Sequence, residues 1–311
     1  MPRPRLLIDC DPGHDDVVAI GVAAAHADVV LITAVAGNAP LRHTERNARI
    51  ACDLFGMQAV QVHAGAERPL VAPARDATHV HGKTGLDGPP PREPSRPPDS
   101  RDAVAAIIET IRGEEGLWLV PTGPLTNIAL ALRAAPDLAR RLAGISLMGG
   151  SADHGNVTPT AEYNVWADPE AAAAVLTHGH EVLIRMAGLN LTHQVLADAP
   201  FVERLLASES EAGQFCGGLI NHYRKFHTTL DGDPLAGCPL HDPCAVLAVT
   251  HPSLFGFRRS HVEVELTGTH TRGMTVVDGR PNPDPTRFNV DVALTVDAPA
   301  ALALIEGAVT M

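Results

Sequence analysis

Asp9-Cys10-Asp11-Pro12-Gly13-His14-Asp15-Asp16 packs four carboxylates into eight positions. Carboxylates so crowded repel one another unless a cation or a hydroxyl-rich ligand sits among them. Oxygen-only donors favour calcium or magnesium over zinc. Helix capping accounts for Asp15 and Asp16, since acids are favourable at a helix start. It leaves Asp9 and Asp11 unexplained. An EF-hand loop needs an oxygen ligand where Gly13 stands, so that reading fails. Cys10 lies between two acids, which raises a thiol pKa and works against a nucleophile there.

Other polar groups fall at ends of elements. Pro121-Thr122-Gly123-Pro124-Leu125-Thr126-Asn127 is a turn whose Gly and Pro free a backbone carbonyl for a hard cation. Read blandly, it is a capped strand-to-helix turn. The stretch from Gly149 to Trp166 carries Asn156, Glu162 and Asn164. Amides and a carboxylate suit sugar hydroxyls, which both donate and accept. His241-Asp242-Pro243 opens a helix, where an Asp is also a routine cap. His79 and His81 stand two apart on a loop, which by itself does not define a metal site.

The elements that must position these groups alternate. Residues 5–9, 29–35, 60–63, 117–121, 145–148 and 181–186 read as strands. Helical spacing covers 15–26, 43–55, 101–112, 124–134, an Ala-rich stretch capped by Asp168-Pro169, about 213–229, 242–249 and 297–308. Residues 261–266 and 272–278 read as a small β-hairpin. Alternation of this kind predicts an α/β fold with a mostly parallel sheet flanked by helices. The acids follow the first strand, at the sheet edge where such folds bind ligands. The segment 73–100 is too long for a plain connection and is a candidate lid. No repeat or linker divides the chain, so residues 1–311 are expected to form a single domain.

Apolar residues make up 45% and charged residues 19%, enough for a sizeable core and against disorder. The net charge of −12, with lysine only at Lys83 and Lys225, argues against nucleic-acid backbones and anionic membranes as partners. A neutral nucleoside or sugar remains compatible. Five cysteines without C-x-x-C spacing argue against a disulfide framework or zinc ribbon. The N-terminus has no apolar signal region and no stretch reaches membrane-spanning length, so a cytoplasmic protein is expected.

Taken together these residues resemble the inosine-uridine nucleoside hydrolase family. The matching stretches are DCDPGHDD at 9–16, AGN at 36–38, HGKTGLDG at 81–88, PTGPLTNIA at 121–129, LMGG at 147–150, AEYNVWADPEAA at 161–172 and HDP at 241–243. They appear in the family's order across nearly the whole chain, most like its bacterial ribonucleoside hydrolases. The resemblance implies a Rossmann-like core and one calcium ion, Ca2+, per chain. It implies carboxylate ligands from Asp11, Asp16 and Asp242 and a backbone carbonyl ligand from Thr122. Asp15 and Asn38 would hold ribose hydroxyls, with Asn156, Glu162, Asn164 and Met148 completing the ribose pocket. Asp9 would support the other acids from behind. His81 and His241 would lie near the base, and His227 could contact it. Relatives of this kind are dimers or tetramers, so a homodimer or homotetramer is expected.

The reaction this implies is hydrolysis of the N-glycosidic bond of a ribonucleoside. Asp11 would act as general base on the attacking water, and His241 would assist the leaving base. Base preference stays open. The segment 222–234 lacks the Gln and Tyr of the pyrimidine-preferring branch at clear positions, and Tyr223 and Phe226 also suit simple packing. Only Trp118 and Trp166 are available for the tryptophan stacking of purine-specific relatives. Two rival readings compete with this one. A haloacid-dehalogenase-like phosphatase also places D-x-D after its first strand, but Lys225 and Gly232-Asp233 lie too close together for its later motifs. A catalytically inactive nucleoside-binding protein would be expected to lack one of the acids, and all are present.

Overall fold

The computed structural model describes residues 3–99, 102–226 and 237–311. The chain opens with β1 (Arg5–Cys10), α1 (His14–His26), β2 (Asp28–Ala34), α2 (Leu41–Leu54) and β3 (Val62–Ala64). After α3 (Thr78–His81) come α4 (Ala103–Gly113), β4 (Leu117–Pro121), α5 (Thr126–Ala134) and β5 (Gly144–Met148). Next are α6 (Tyr163–Ala167), α7 (Pro169–Leu176), β6 (Ile184–Ala187), α8 (Leu189–Thr192), β7 (Leu196–Ala197), α9 (Ala199–Leu206) and α10 (Glu211–Tyr223). The remainder is β8 (Cys238–Pro239), α11 (Asp242–Thr250), β9 (Phe255–Ser260), β10 (Val262–Val264), β11 (Thr275–Val277), β12 (Val290–Val296) and α12 (Ala298–Val309).

Eight strands form one sheet in the order β3-β2-β1-β4-β5-β6-β12-β9. All neighbours run parallel except β9, which is antiparallel to β12. The strand β1 shows why its sequence reads as an apolar run. Leu6, Ile8 and Cys10 enter one core, while Leu7 enters the other across the sheet. A strand buried on both faces cannot alternate apolar with polar. Helices α1, α10, α11 and α12 pack on the first face, and α4, α5 and α7 on the second.

The sheet order carries the functional information. From β1 the chain builds outward through β2 and β3, then returns to place β4 on the other side of β1. Strand order therefore reverses between β1 and β4, where Asp9 pairs with Pro121. Crevices outside the carboxyl ends of strands at such a reversal are where open α/β sheets bind ligands. Asp11 and Thr122 are the residues that leave those two strand ends.

The sequence-level elements mostly hold, including the hairpin, where Val262 pairs with Val277. Strands β9 and β12 carried no expectation. The helix expected at about 213–229 is α10 followed by a short 3-10 turn, and 227–229 lie outside the described residues. Both long loops hold short helices, α3 and α6. The second half of the 73–100 segment is strapped to α2. Arg46 Nε donates to Glu93 at 3.1 Å, and Ser95 N–H donates to Asp53 at 2.6 Å. A lid could then involve only the stretch around α3. Among the described residues no helix is long and apolar enough to cross a membrane.

Candidate active site

Strand β1 delivers Asp9 and Asp11 into the interior, where both are fully buried. Asp9 Oδ1 accepts from Thr33 Oγ1 at 2.6 Å and from Asn127 Nδ2 at 2.8 Å, and Oδ2 has no partner. Burial pushes its pKa up to about 7 despite those donors. Asp11 Oδ2 accepts the Asn38 N–H at 2.7 Å, while Oδ1 is buried without a hydrogen bond. Burial, then the neighbouring charge of Asp16, holds the Asp11 carboxyl well above the usual carboxylate range. Two glycines make room for this side chain. A Cβ on Gly37 would sit 2.0 Å from Asp11 Oδ2, and one on Gly123 would sit 2.5 Å from Oδ1.

The turn at Pro12-Gly13 starts α1 and puts Asp15 and Asp16 in its first turn. Asp16 Oδ2 accepts from Gly13 N–H at 2.9 Å and from Asn38 Nδ2 at 3.1 Å. Its Oδ1 accepts from Thr122 Oγ1 at 2.8 Å, which ties α1 to the end of β4. Asp242 arrives at the first turn of α11, and α11 packs against α1. Asp15, Asp16 and Asp242 can each offer an oxygen such that all three lie within 4.8 Å of one another. Burial comes first in raising each of these carboxyls; neighbouring acids add to it at Asp15 and Asp242, whereas hydrogen bonds oppose it at Asp16; Asp15 reaches about 7 and Asp242 goes well beyond the usual range.

Asp15 and Asp242 line a cavity of about 510 Å³. On one side Asn164 Nδ2 donates to the Thr122 carbonyl at 2.8 Å and to the Met148 carbonyl at 3.1 Å. Glu162 caps α6: Oε1 accepts from Asn164 N–H at 2.9 Å, and Oε2 from Gly150 N–H at 2.8 Å and Val165 N–H at 3.2 Å. Burial still lifts its pKa to about 7. Asn156 Oδ1 accepts the Tyr163 N–H at 3.0 Å, and the Tyr163 hydroxyl donates to the Gly37 carbonyl at 2.7 Å. On the other side His81, Tyr223, Phe226, His193 and His241 form the wall. His241 Nδ1 lies 2.7 Å from Thr192 Oγ1, and its N–H donates to Asp15 Oδ2 at 3.3 Å.

Sequence and structure comparisons bear on this arrangement. The family described as inosine-uridine preferring nucleoside hydrolase matches residues 6–303. The chain is 39% identical over 302 residues to the inosine-uridine preferring nucleoside hydrolase of Crithidia fasciculata, covering 96% of this chain and 94% of that protein. This chain belongs to the inosine-uridine preferring nucleoside hydrolase family. It is 41% identical over 276 residues to the pyrimidine-specific ribonucleoside hydrolase RihA of Citrobacter koseri, with 88% of each covered. Among solved structures, the purine-preferring ribonucleoside hydrolase from Gardnerella vaginalis superposes with a TM-score of 0.89 at 32% identity, covering 98% of both chains. The plant nucleoside hydrolase PpNRh1 gives 0.91 at 31%, covering 99% of both.

In this member of the family every expected site residue that lies among the described residues lines or adjoins one cavity. His227 lies outside the described residues. The three converging oxygens come from Asp15, Asp16 and Asp242, whereas the resemblance put Asp11 with Asp16 and Asp242. Asp11 instead adjoins them with one buried oxygen unpartnered. A cation suits this donor set. It would lower all the raised carboxyl pKa values at once and give the orphaned Asp11 oxygen a partner.

Two histidines at the site carried no expected role: His193, which lines the cavity, and His14, which backs His81. His14, inside the opening motif, is fully buried. Its Nδ1 lies 3.0 Å from His81 Nδ1 and its Nε2 lies 2.8 Å from the Asp87 carbonyl. It stacks on Tyr223 with centroids 5.4 Å apart, and Tyr223 stacks on His81 at 5.2 Å. A histidine amid acids at a helix start was the available signal. Tyr223 is thus buried yet lines the cavity, and Phe226 is 45% exposed rather than core. Trp118 is remote from the wall and packs on Arg185, whereas Trp166 lines the cavity.

Proposed function

We propose that this chain is a calcium-dependent ribonucleoside hydrolase that releases ribose and a free base, its whole length acting as one domain. The observation that carries this reading is the buried group of acids at the carboxyl ends of β1 and β4, with one Asp11 oxygen unpartnered at its edge. Oxygen-only donors favour calcium or magnesium. Asp16, Asp242, Asp11 and the Thr122 carbonyl would hold the ion, with Asp15 close enough to share in the charge. When bound, calcium supplies a template for the sugar diol and the attacking water.

The chain's own residues do the rest. Breaking an N-glycosidic bond builds positive charge on C1′ and the ring oxygen, as glycoside cleavage generally does. The buried carboxylates stabilise that charge in a site of low dielectric. Asp11 takes the proton of the attacking water as the bond to C1′ forms, so no covalent sugar–enzyme intermediate arises and the anomeric centre inverts. Asp15 and Asn38 orient ribose hydroxyls. Asn156, Glu162, Asn164 and Met148 complete the sugar side. His81 lies against the base, and His241 assists its departure. A nucleoside also fits the polar floor and ring-lined wall of the cavity.

Relatives are named for pyrimidine, inosine-uridine and purine substrates. The deciding experiment is reducing-sugar release from uridine, cytidine, inosine and adenosine with calcium present. Release from at least one of them is the expected result. Silence on all four, with phosphate released from a phosphomonoester instead, would overturn the reading.

A further inference from the structure

Thr192 is the last residue of α8 and is fully buried. Main-chain bonds hold it opposite His241. The Thr192 N–H donates to the Gly188 carbonyl at 3.0 Å. Strands β7 and β8 then set Leu196 opposite Pro239 and Ala197 opposite Cys238. The Leu240 N–H donates to the Val195 carbonyl at 3.0 Å, which carries the ladder to the residue before His241. A helical threonine commonly turns its hydroxyl back to the carbonyl four residues earlier. At the ends of their helices Thr250 Oγ1 does so to Val246 at 3.2 Å, and Thr310 Oγ1 to Glu306 at 2.8 Å. Thr192 does not. Among the described residues its hydroxyl has one hydrogen-bond partner, His241 Nδ1 at 2.7 Å.

A hydroxyl both donates and accepts, while a ring nitrogen does one or the other according to its proton. The bond between Thr192 and His241 therefore stands whichever form the ring takes. We propose that Thr192 is a positioning residue whose hydroxyl holds the His241 ring through Nδ1, in the orientation that serves the departing base. Small misplacements of a catalytic group are costly in rate, so the hydroxyl matters to kcat more than to KM. The proposal rests on the leaving-group role given to His241 above.

The test is steady-state kinetics on uridine, inosine and p-nitrophenyl riboside, whose leaving group departs as a stable anion and needs no help from His241. Thr192→Val keeps the shape of the side chain and removes the hydroxyl. Its kcat on the nucleosides is expected to fall by about tenfold, the size of one lost hydrogen bond with some ring displacement. KM, and turnover of p-nitrophenyl riboside, should stay within about twofold. Thr192→Ser keeps the hydroxyl and should run within about threefold of wild type. In a His241→Phe background Thr192→Val should cost nothing further, because the two residues act as one unit. Should Thr192→Val fail to fold, Thr192→Ala against Thr192→Ser makes the same comparison. Equal losses on nucleosides and p-nitrophenyl riboside, a Thr192→Ser rate as low as Thr192→Val, or the same loss with and without His241 would each overturn the proposal. A His241→Phe protein with the wild-type nucleoside rate would instead remove the leaving-group role of His241. A wild type inactive on all three substrates would remove the hydrolase reading itself.

Discussion

The backbone N–H of Asn38 donates to one oxygen of Asp11 at 2.7 Å, and the other oxygen of Asp11 is buried without a partner. One half of the carboxylate is thus anchored and the other half is available for chemistry. Asp11→Asn keeps the shape of the side chain and removes its basicity. We expect a folded protein whose kcat on nucleosides falls by about 10²–10⁴-fold, the usual worth of general base catalysis. Steady-state kinetics with circular dichroism checks this, and a rate near wild type would contradict the assignment.

Room for Asp11 depends on glycine. A Cβ at Gly123 would sit 2.5 Å from Asp11 Oδ1, so Gly123→Ala must displace the carboxylate or the turn. Turnover should fall at least about tenfold, since small misplacements of catalytic groups are costly. The same change at Gly279, where a Cβ meets nothing within 4 Å, should leave turnover unchanged. Parallel assays of the two variants decide the matter.

The Thr122 carbonyl accepts from Asn164 Nδ2 at 2.8 Å, which orients it beside the acids. Removing such a supporting partner of a metal ligand typically costs about 10–100-fold in affinity. Asn164→Ala should weaken calcium binding by about that factor in titration calorimetry. Unchanged affinity would show that the carbonyl needs no such support.

Stability without calcium should depend on pH in a defined direction. Asp9, Asp15 and Glu162 have pKa values raised to about 7 in the folded protein, against ordinary values of 3.8, 3.8 and 4.5. Between about pH 4 and 7 the folded state therefore binds more protons than the unfolded state. Stability then falls as pH rises through that window and stays low above it. The calcium-free protein should melt at a higher temperature at pH 5.5 than at pH 8. Added calcium should raise the melting temperature more at pH 8. Thermal melts at the two values, with and without calcium, test the sign.

Much of this was legible in the chain. The alternation of apolar runs with helical spacing gives the sheet, because strands buried on both faces leave continuous apolar stretches such as Leu6-Leu7-Ile8. Four acids within eight positions mark the site because helix capping accounts for only two of them. Strands β9 and β12 escaped because Phe255–Ser260 carries Gly256 and two arginines, and its pairing is an edge decision made by tertiary contact. His14 and His193 escaped for a related reason. Only the fold brings His14 against His81 and His193 against His241. Glu162 was legible as a polar group of the site, but not as the cap of α6.

The central claim is that the buried acids gather a hard divalent cation in order to hydrolyse a nucleoside. Ribose release should be followed on one preparation with calcium, then in excess chelator, then with calcium restored. The account predicts turnover, near-complete loss and recovery. Undiminished turnover in excess chelator would contradict it.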